Sequence, residues 1–293
     1  MKQVIATVAF AMVGVGCSAS SASTTIASSP STSVAPTSVA TTSPDTARID
    51  SPCLIGDVPF RDVGLLGTAG DDGGDARQVA ALRWAAYDGC ERFVVDLVSA
   101  DGAPATSSGP VSAEMLSSGV VRITLPPVIA LTAVADAAFE GALADRAFVV
   151  RDFPGTLLVD LHVNPSPEAR ITALDSPARV VIDLRPGSGA EATPTPVIGE
   201  NVIVFEPSSG DAAYPIRVSG YARTFEATVV ARLLALDELA FETFTTATDY
   251  LDAWGRFTME IPTGPSGRVD LFVGEDSAAT GDPRGVTVEL SMG

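Results

Sequence analysis

Basic side chains are the scarcest chemistry in these 293 residues. Lysine occurs once, at Lys2, and histidine once, at His162; 18 Lys and Arg stand against 36 Asp and Glu, a formal net charge of −18. Nucleic-acid binding needs a cationic face that displaces phosphate counterions. No basic run exists, so nucleic acid is excluded as a partner, and the same acidity repels anionic lipid headgroups. With one histidine, a histidine-based triad must use His162. It shares a strand face with Asp160 in "LLVDLHV", but no nucleophile elbow accompanies the pair, and an exposed surface histidine is the expectation. Zinc-hydrolase spacing, a phosphate loop and a dinucleotide fingerprint are all missing, so no metal and no cofactor are expected.

The apolar run that opens the chain, "VIATVAFAMVGVG", has thirteen residues, short of the ~20 that a membrane-spanning helix takes. Preceded by Lys2 and ended by Gly16-Cys17, it has the order of a secretory signal. From Ser18 to about Asp50 the chain is Ser, Thr, Ala and Pro with hardly a charge. Such a tract cannot bury enough apolar surface to offset the entropy of ordering, so a disordered linker spanning ~30 Å is expected. Small residues leading into a Cys and then a polar tract resemble a bacterial lipoprotein signal. That resemblance implies that residues 1–17 are a signal peptide and that Cys17 receives a diacylglycerol. The protein would then sit extracytoplasmically on the outer face of the cell membrane, touching it through the lipid anchor only. Gly14 stands where that family usually has Leu, and an ordinary cleaved signal is the alternative. With Cys17 set aside, Cys53 and Cys90 remain as an even pair in an exported chain and are expected to form a disulfide. It would pin "SPCLIG" to the first hairpin and contribute about 4 kcal/mol by loop closure.

Within residues 51–187 one phrase is written twice: "ERFVVDL" from Glu91 and "ARVVIDL" from Ala178. Alternation turns Phe93, Val95 and Leu97 one way and Arg92, Val94 and Asp96 the other. The second copy puts Val180, Ile182 and Leu184 inward and Arg179, Val181 and Asp183 outward. Asp88-Gly89 reads as a two-residue hairpin turn, and Ala130 to Asp145 has apolar spacing that permits one short helix. The acidic loop Gly70 to Gln78 offers Asp71, Asp72 and Asp75 but lacks calcium-loop spacing and a closing Glu, so a solvated loop is expected. The Arg/Asp face is a candidate ligand surface, with Arg83 and Trp84 on the neighbouring strand joining Arg92 and Arg179; the alternative is a solvated face of cross-strand ion pairs. The segment "LDSPARVVIDL", preceded by "RDFPGTLLVDL" and a "DGCERFVVDL" hairpin, resembles the AMIN-like domain of actinobacterial secreted proteins and lipoproteins. The resemblance covers most of residues 75 to 186 and implies a β-rich, non-catalytic module. Relatives in the wider amidase N-terminal family attach periplasmic enzymes to peptidoglycan.

A Pro-rich break, residues 188–200, is expected to be a linker. Seven strand-like runs with turn signals between them then fill residues 201–291, the pattern of a β-sandwich. "PSSG", "VSGYARTFEATVV", "GRF" and "EDSAATGD" resemble the spore-germination-associated immunoglobulin-like family, whose members are accessory envelope domains. The expected fold is mainly β: an AMIN-like β domain followed by an immunoglobulin-like β-sandwich. The expected role is a non-enzymatic binding module for peptidoglycan or another envelope protein. An envelope hydrolase with a spatially assembled carboxylate site is the alternative, and a purely structural spacer is a third reading.

Overall fold

The computed structural model describes residues 51–164, 167–188 and 196–293. The signal peptide, Cys17, the 18–50 linker and most of the 188–200 break lie outside the described residues.

The first region carries β1 (Gly64–Ala69), β2 (Gln78–Tyr87), β3 (Cys90–Val98), β4 (Val111–Leu116), β5 (Val120–Thr124), β6 (Leu131–Thr132), β7 (Asp136–Ala138), β8 (Ala144–Asp152), β9 (Thr156–Val163), β10 (Glu168–Leu174) and β11 (Arg179–Arg185). The second carries β12 (Val197–Ile198), β13 (Val202–Glu206), β14 (Gly210–Ala212), β15 (Ile216–Ala222), β16 (Thr228–Ala235), β17 (Glu238–Thr246), β18 (Trp254–Ile261), β19 (Gly267–Asp276) and β20 (Pro283–Met292). All seven runs expected in the second region are strands. The short helix expected between Ala130 and Asp145 is not there; β6 and β7 occupy that stretch. Its backbone is claimed by distant strands, with Ala133 N–H bonding to Val79 O (2.8 Å) and Val149 N–H to Ala135 O (2.7 Å). Tertiary pairing overrides a weak helical spacing.

Three sheets result. A ten-stranded shared sheet runs β1-β4-β5-β9-β8-β18-β15-β13-β12, with β7 also on β8. A first outer sheet, β10-β11-β3-β2-β6, packs on its first half, and a second, β14-β20-β19-β16-β17, on its second half. Alternation decides what lies between them. Phe93, Val95, Val180 and Ile182 meet Ile123, Val149, Val159 and Leu161 in one core; Val218, Phe257, Val202 and Val204 meet Leu233, Leu271, Val273 and Val288 in the other. Each fully buried Leu, Ile or Phe contributes about 1.5–3 kcal/mol.

The two regions are not strung apart. Strand β8 runs parallel to β18, Val150 beside Trp254 and Arg151 beside Gly255. Gly255 is required there, because a Cβ would collide with the backbone of Asp249. Four strand spacings separate β9 from β13 along the shared sheet, roughly 19 Å if it were flat. Yet the rings of His162 on β9 and Phe205 on β13 stack with centroids 5.2 Å apart. The sheet therefore folds back on itself at the β8–β18 junction, and the faces of its two halves turned away from the two cores meet.

Candidate functional site

The echoed phrase explains itself in the register. Strands β3 and β11 are antiparallel neighbours, with Asp183 opposite Arg92 and Arg179 opposite Asp96. Writing Arg-x-x-x-Asp on both strands thus sets each Arg across from the other copy's Asp. One of the two pairings is made: Arg92 Nε donates to Asp183 Oδ1 (2.6 Å) and a terminal nitrogen to Oδ2 (3.0 Å). This raises the Arg92 pKa. The same carboxylate accepts from Arg170 on β10 (3.1 Å).

This face is not the open surface the sequence implied. Asp183 is 1% exposed and Arg170 3%, because the entry segment lies over them. Arg170 donates to the carbonyls of Cys53 (3.1 Å) and Ile55 (2.6 Å), and Arg92 to that of Pro52 (3.0 Å). The Cys53–Cys90 disulfide, Cα atoms 6.2 Å apart, fastens the strap to the start of β3. Two guanidiniums that donate on one side to a buried carboxylate and on the other to a row of carbonyls make a satisfied arrangement. It holds the strap down.

The second pairing is not made. Both oxygens of Asp96 accept from Arg83 on β2, a contact that raises the Arg83 pKa. Arg179, opposite Asp96, is left with a single carbonyl bond, to Pro177 at 3.3 Å, and makes no ion pair among the described residues. Arg83, Arg92 and Arg179 are therefore brought together, around a shallow depression of about 200 Å³ floored by Val94 and Val181 and edged by Tyr87 and Leu174. Neither Tyr87 nor Leu174 was marked by the sequence; their part follows from cross-strand register, which no local pattern carries.

Trp84 lines the same depression as Arg83, but its indole turns away from the arginine face. Adjacent residues of a strand face opposite ways. Its ring packs on Phe139 (centroids 6.2 Å), and its indole N–H donates to Glu91 (2.8 Å). Glu91 also accepts the N–H groups of Ala142 (2.7 Å), Leu143 (2.9 Å) and Ala144 (2.9 Å). In the acidic loop, Asp75 accepts from the backbone N–H groups of Thr106 (2.8 Å) and Ser107 (2.9 Å), which lower its pKa. That carboxylate fixes a loop.

A second polar constellation lies where the two regions meet. Asp160, fully buried, accepts Arg122 Nε (2.8 Å) and a terminal nitrogen (2.6 Å), and the Tyr221 hydroxyl from the second region. Burial, then the Asp160 charge, push the Tyr221 pKa up. Arg151 reaches Asp249 (2.8 Å) and Asp252 (2.7 Å), Arg256 reaches Asp152 (2.6 Å), and the Trp254 indole donates to Asp136 (3.0 Å). Contrary to the surface role expected of it, His162 lies between Phe148 and Phe205, both at 5.2 Å, and its Nε2 has no hydrogen-bond partner among the described residues. Burial lowers its pKa to about 4 against the opposing pull of Asp160 and Asp145. The Asp160/His162 pair that looked like a dyad belongs to the joint.

Residues 201–282 match the family model of the immunoglobulin-like domain of bacterial spore germination. The match begins just before β13 and ends just before β20, and it supports an extracellular or envelope protein. It includes the "SGYARTFEATV" segment that supplies Tyr221 to the joint. None of the curated proteins compared with the chain matches it. No helix among the described residues is long and apolar enough to cross a membrane.

Proposed function

We propose that the protein is a non-catalytic envelope protein that binds peptidoglycan through the outer face of the β2-β3-β11 strands, with Arg179 gripping a carboxylate of the wall peptide. The observation that carries this reading is a guanidinium with no acidic partner on a chain where acids outnumber bases two to one. The first outer sheet pairs Arg83, Arg92, Arg170 and Arg185 with carboxylates and leaves its Arg179 without one; beside Arg83 and an apolar Val94–Val181 strip, that guanidinium offers bidentate anion recognition next to apolar contact. Supporting it are the AMIN-like resemblance of Leu174 to Leu184 and the envelope character of the second region; a lipid on Cys17, which the signal-like start of the chain implies, would hold the site near the wall. The hydrolase alternative finds less support: the buried carboxylates of Glu91, Asp160 and Asp183 are each committed to arginine, tyrosine, tryptophan or backbone donors.

Retention of the full chain on purified cell-wall sacculi tests this. Binding at about 0.15 M salt that weakens as salt rises is expected, with Arg179→Glu losing about tenfold in affinity, ~1.4 kcal/mol. Absent retention, or a variant retained as well as the parent, overturns the reading.

A further inference from the structure

Most sheet ends in this molecule are shut. Strands β6, β12 and β14 are two or three residues long. Strand β1 is bulged between Leu65 and Gly67, and β10 is bridged by Arg61 of the strap through two backbone bonds at Ala169. Among the strands that end a sheet the exception is β17, although β2 beyond Val79 and β20 before Leu290 are also bare on one side. Strand β17 ends the second outer sheet with nine residues, and no backbone hydrogen bond from outside that sheet reaches it among the described residues. After an irregularity between Leu239 and Phe241, the stretch from Phe241 to Thr246 pairs regularly with β16. Its "FETFTT" composition favours a strand, and it has none of the Pro or Lys with which exposed edges are blunted.

Three of the second region's exposed apolar side chains, its two most exposed among them, stand on the same hairpin. Phe244 is 73% exposed, Leu239 57% and Leu236 96%. Leu236 and Asp237 form the turn, both with positive φ (53° and 65°), a conformation that a two-residue hairpin requires and that Asn-Gly would adopt far more readily than leucine. The turn thus holds a leucine out in water.

We infer that the β17 edge accepts an added strand from a protein partner bearing cationic and apolar side chains in alternation. The charge on the page selects that occupant. Asp237 and Glu238 stand on the hairpin without an ion pair among the described residues, and Glu242 shares one guanidinium, Arg232 (2.6 Å), with Asp276, which leaves that group an acid in excess; on a chain of net charge −18 a second copy would set acid against acid. Glu242 and Phe244 lie two apart and so share a face. A strand added beyond β17 places a Lys or Arg beside Glu242 and an apolar residue beside Phe244, while its backbone takes up the free N–H and C=O groups. This surface is separate from Arg179 and does not depend on the wall-binding reading.

The test uses the full chain and a fluorescein-labelled seven-residue peptide in which threonine alternates with lysine and valine, read by anisotropy. Saturable binding is expected. It should weaken about tenfold or more when the lysines are replaced by glutamate, when alternate backbone amides are N-methylated in one of the two frames, and in Phe244→Asp, whose retention on sacculi should equal the parent's. Equal binding of both N-methylated frames would overturn strand addition. So would self-association in sedimentation equilibrium that the peptide does not compete away, which would give the edge to a second copy. Absence of binding up to about 1 mM peptide overturns the inference outright.

Discussion

The two outer sheets pack on the same side of one shared sheet, yet they meet water in opposite ways. On the first, a disulfide-fastened strap covers the Arg170–Asp183 part of the outer face, and a carboxylate 1% exposed sits between two guanidiniums. The second has no cysteine and, among the described residues, no strap bonded across it; its outer ion pairs range from Arg268 with Glu289 (2.8 Å), side chains 76% and 66% exposed, to Arg232 with Asp276, 22% and 45% exposed. The polar groups beneath the strap are committed to holding it, whereas those of the second sheet are solvated and worth little to stability. The two proposed partner contacts use what each sheet leaves unfinished: an arginine without an acid on the first, a nine-residue terminal strand on the second.

Three experiments would break or sharpen that contrast. The largest effect is expected at the joint. Asp160→Ala strands Arg122 and the Tyr221 hydroxyl and should cost about 3–5 kcal/mol. Urea unfolding followed through Trp84 and Trp254 should remain one transition with a lower midpoint. Two separated transitions in the parent would show that the regions fold independently. Next, replacing Cys53 and Cys90 by Ser should cost about 2–4 kcal/mol and remove amide protection from the strap, leaving β16, β19 and β20 protected in hydrogen exchange. Equal loss in both outer sheets would erase the contrast. The smallest effect belongs to His162. Its folded pKa of about 4 lies below the ordinary 6.5, so the unfolded chain takes up the proton first as pH falls. Stability present above about pH 6.5 is lost on the way down to about pH 4. Since the ring is partly exposed, a cost of about 2 kcal/mol is expected. His162→Phe, which keeps the stacking, should flatten the stability profile over that window; identical profiles would place the proton uptake elsewhere.

Much of the site could be read early because its signals are local. Alternation placed Phe93, Val95, Val180 and Ile182 inward, and Asp88-Gly89 turned the hairpin as a two-residue turn should. The Arg/Asp echo was visible as a repeat. That Arg92 meets Asp183 while Arg179 loses Asp96 to Arg83 was not, since a third strand decides it. Trp84 borders the depression, yet strand alternation, which puts it opposite Arg83, sends its indole to Phe139 and Glu91. His162 looked superficial because its strand pattern reports only which side it faces, not that another region covers that side.

By itself the sequence determined the β2–β3 hairpin, the β5, β9 and β11 strands, the seven long strands of the second region, the acidic surface, the cysteine pair and the immunoglobulin-like character of that region. These rest on near-neighbour sterics and a two-residue period. Only the tertiary structure decided that the strap buries Asp183, that the shared sheet folds back around Phe148, His162, Phe205 and Tyr221, and that Arg179 and the β17 edge are left unpaired. Period-two patterns say which face a side chain takes; partners across that face come from chain segments ~100 residues away, through packing that no local window contains.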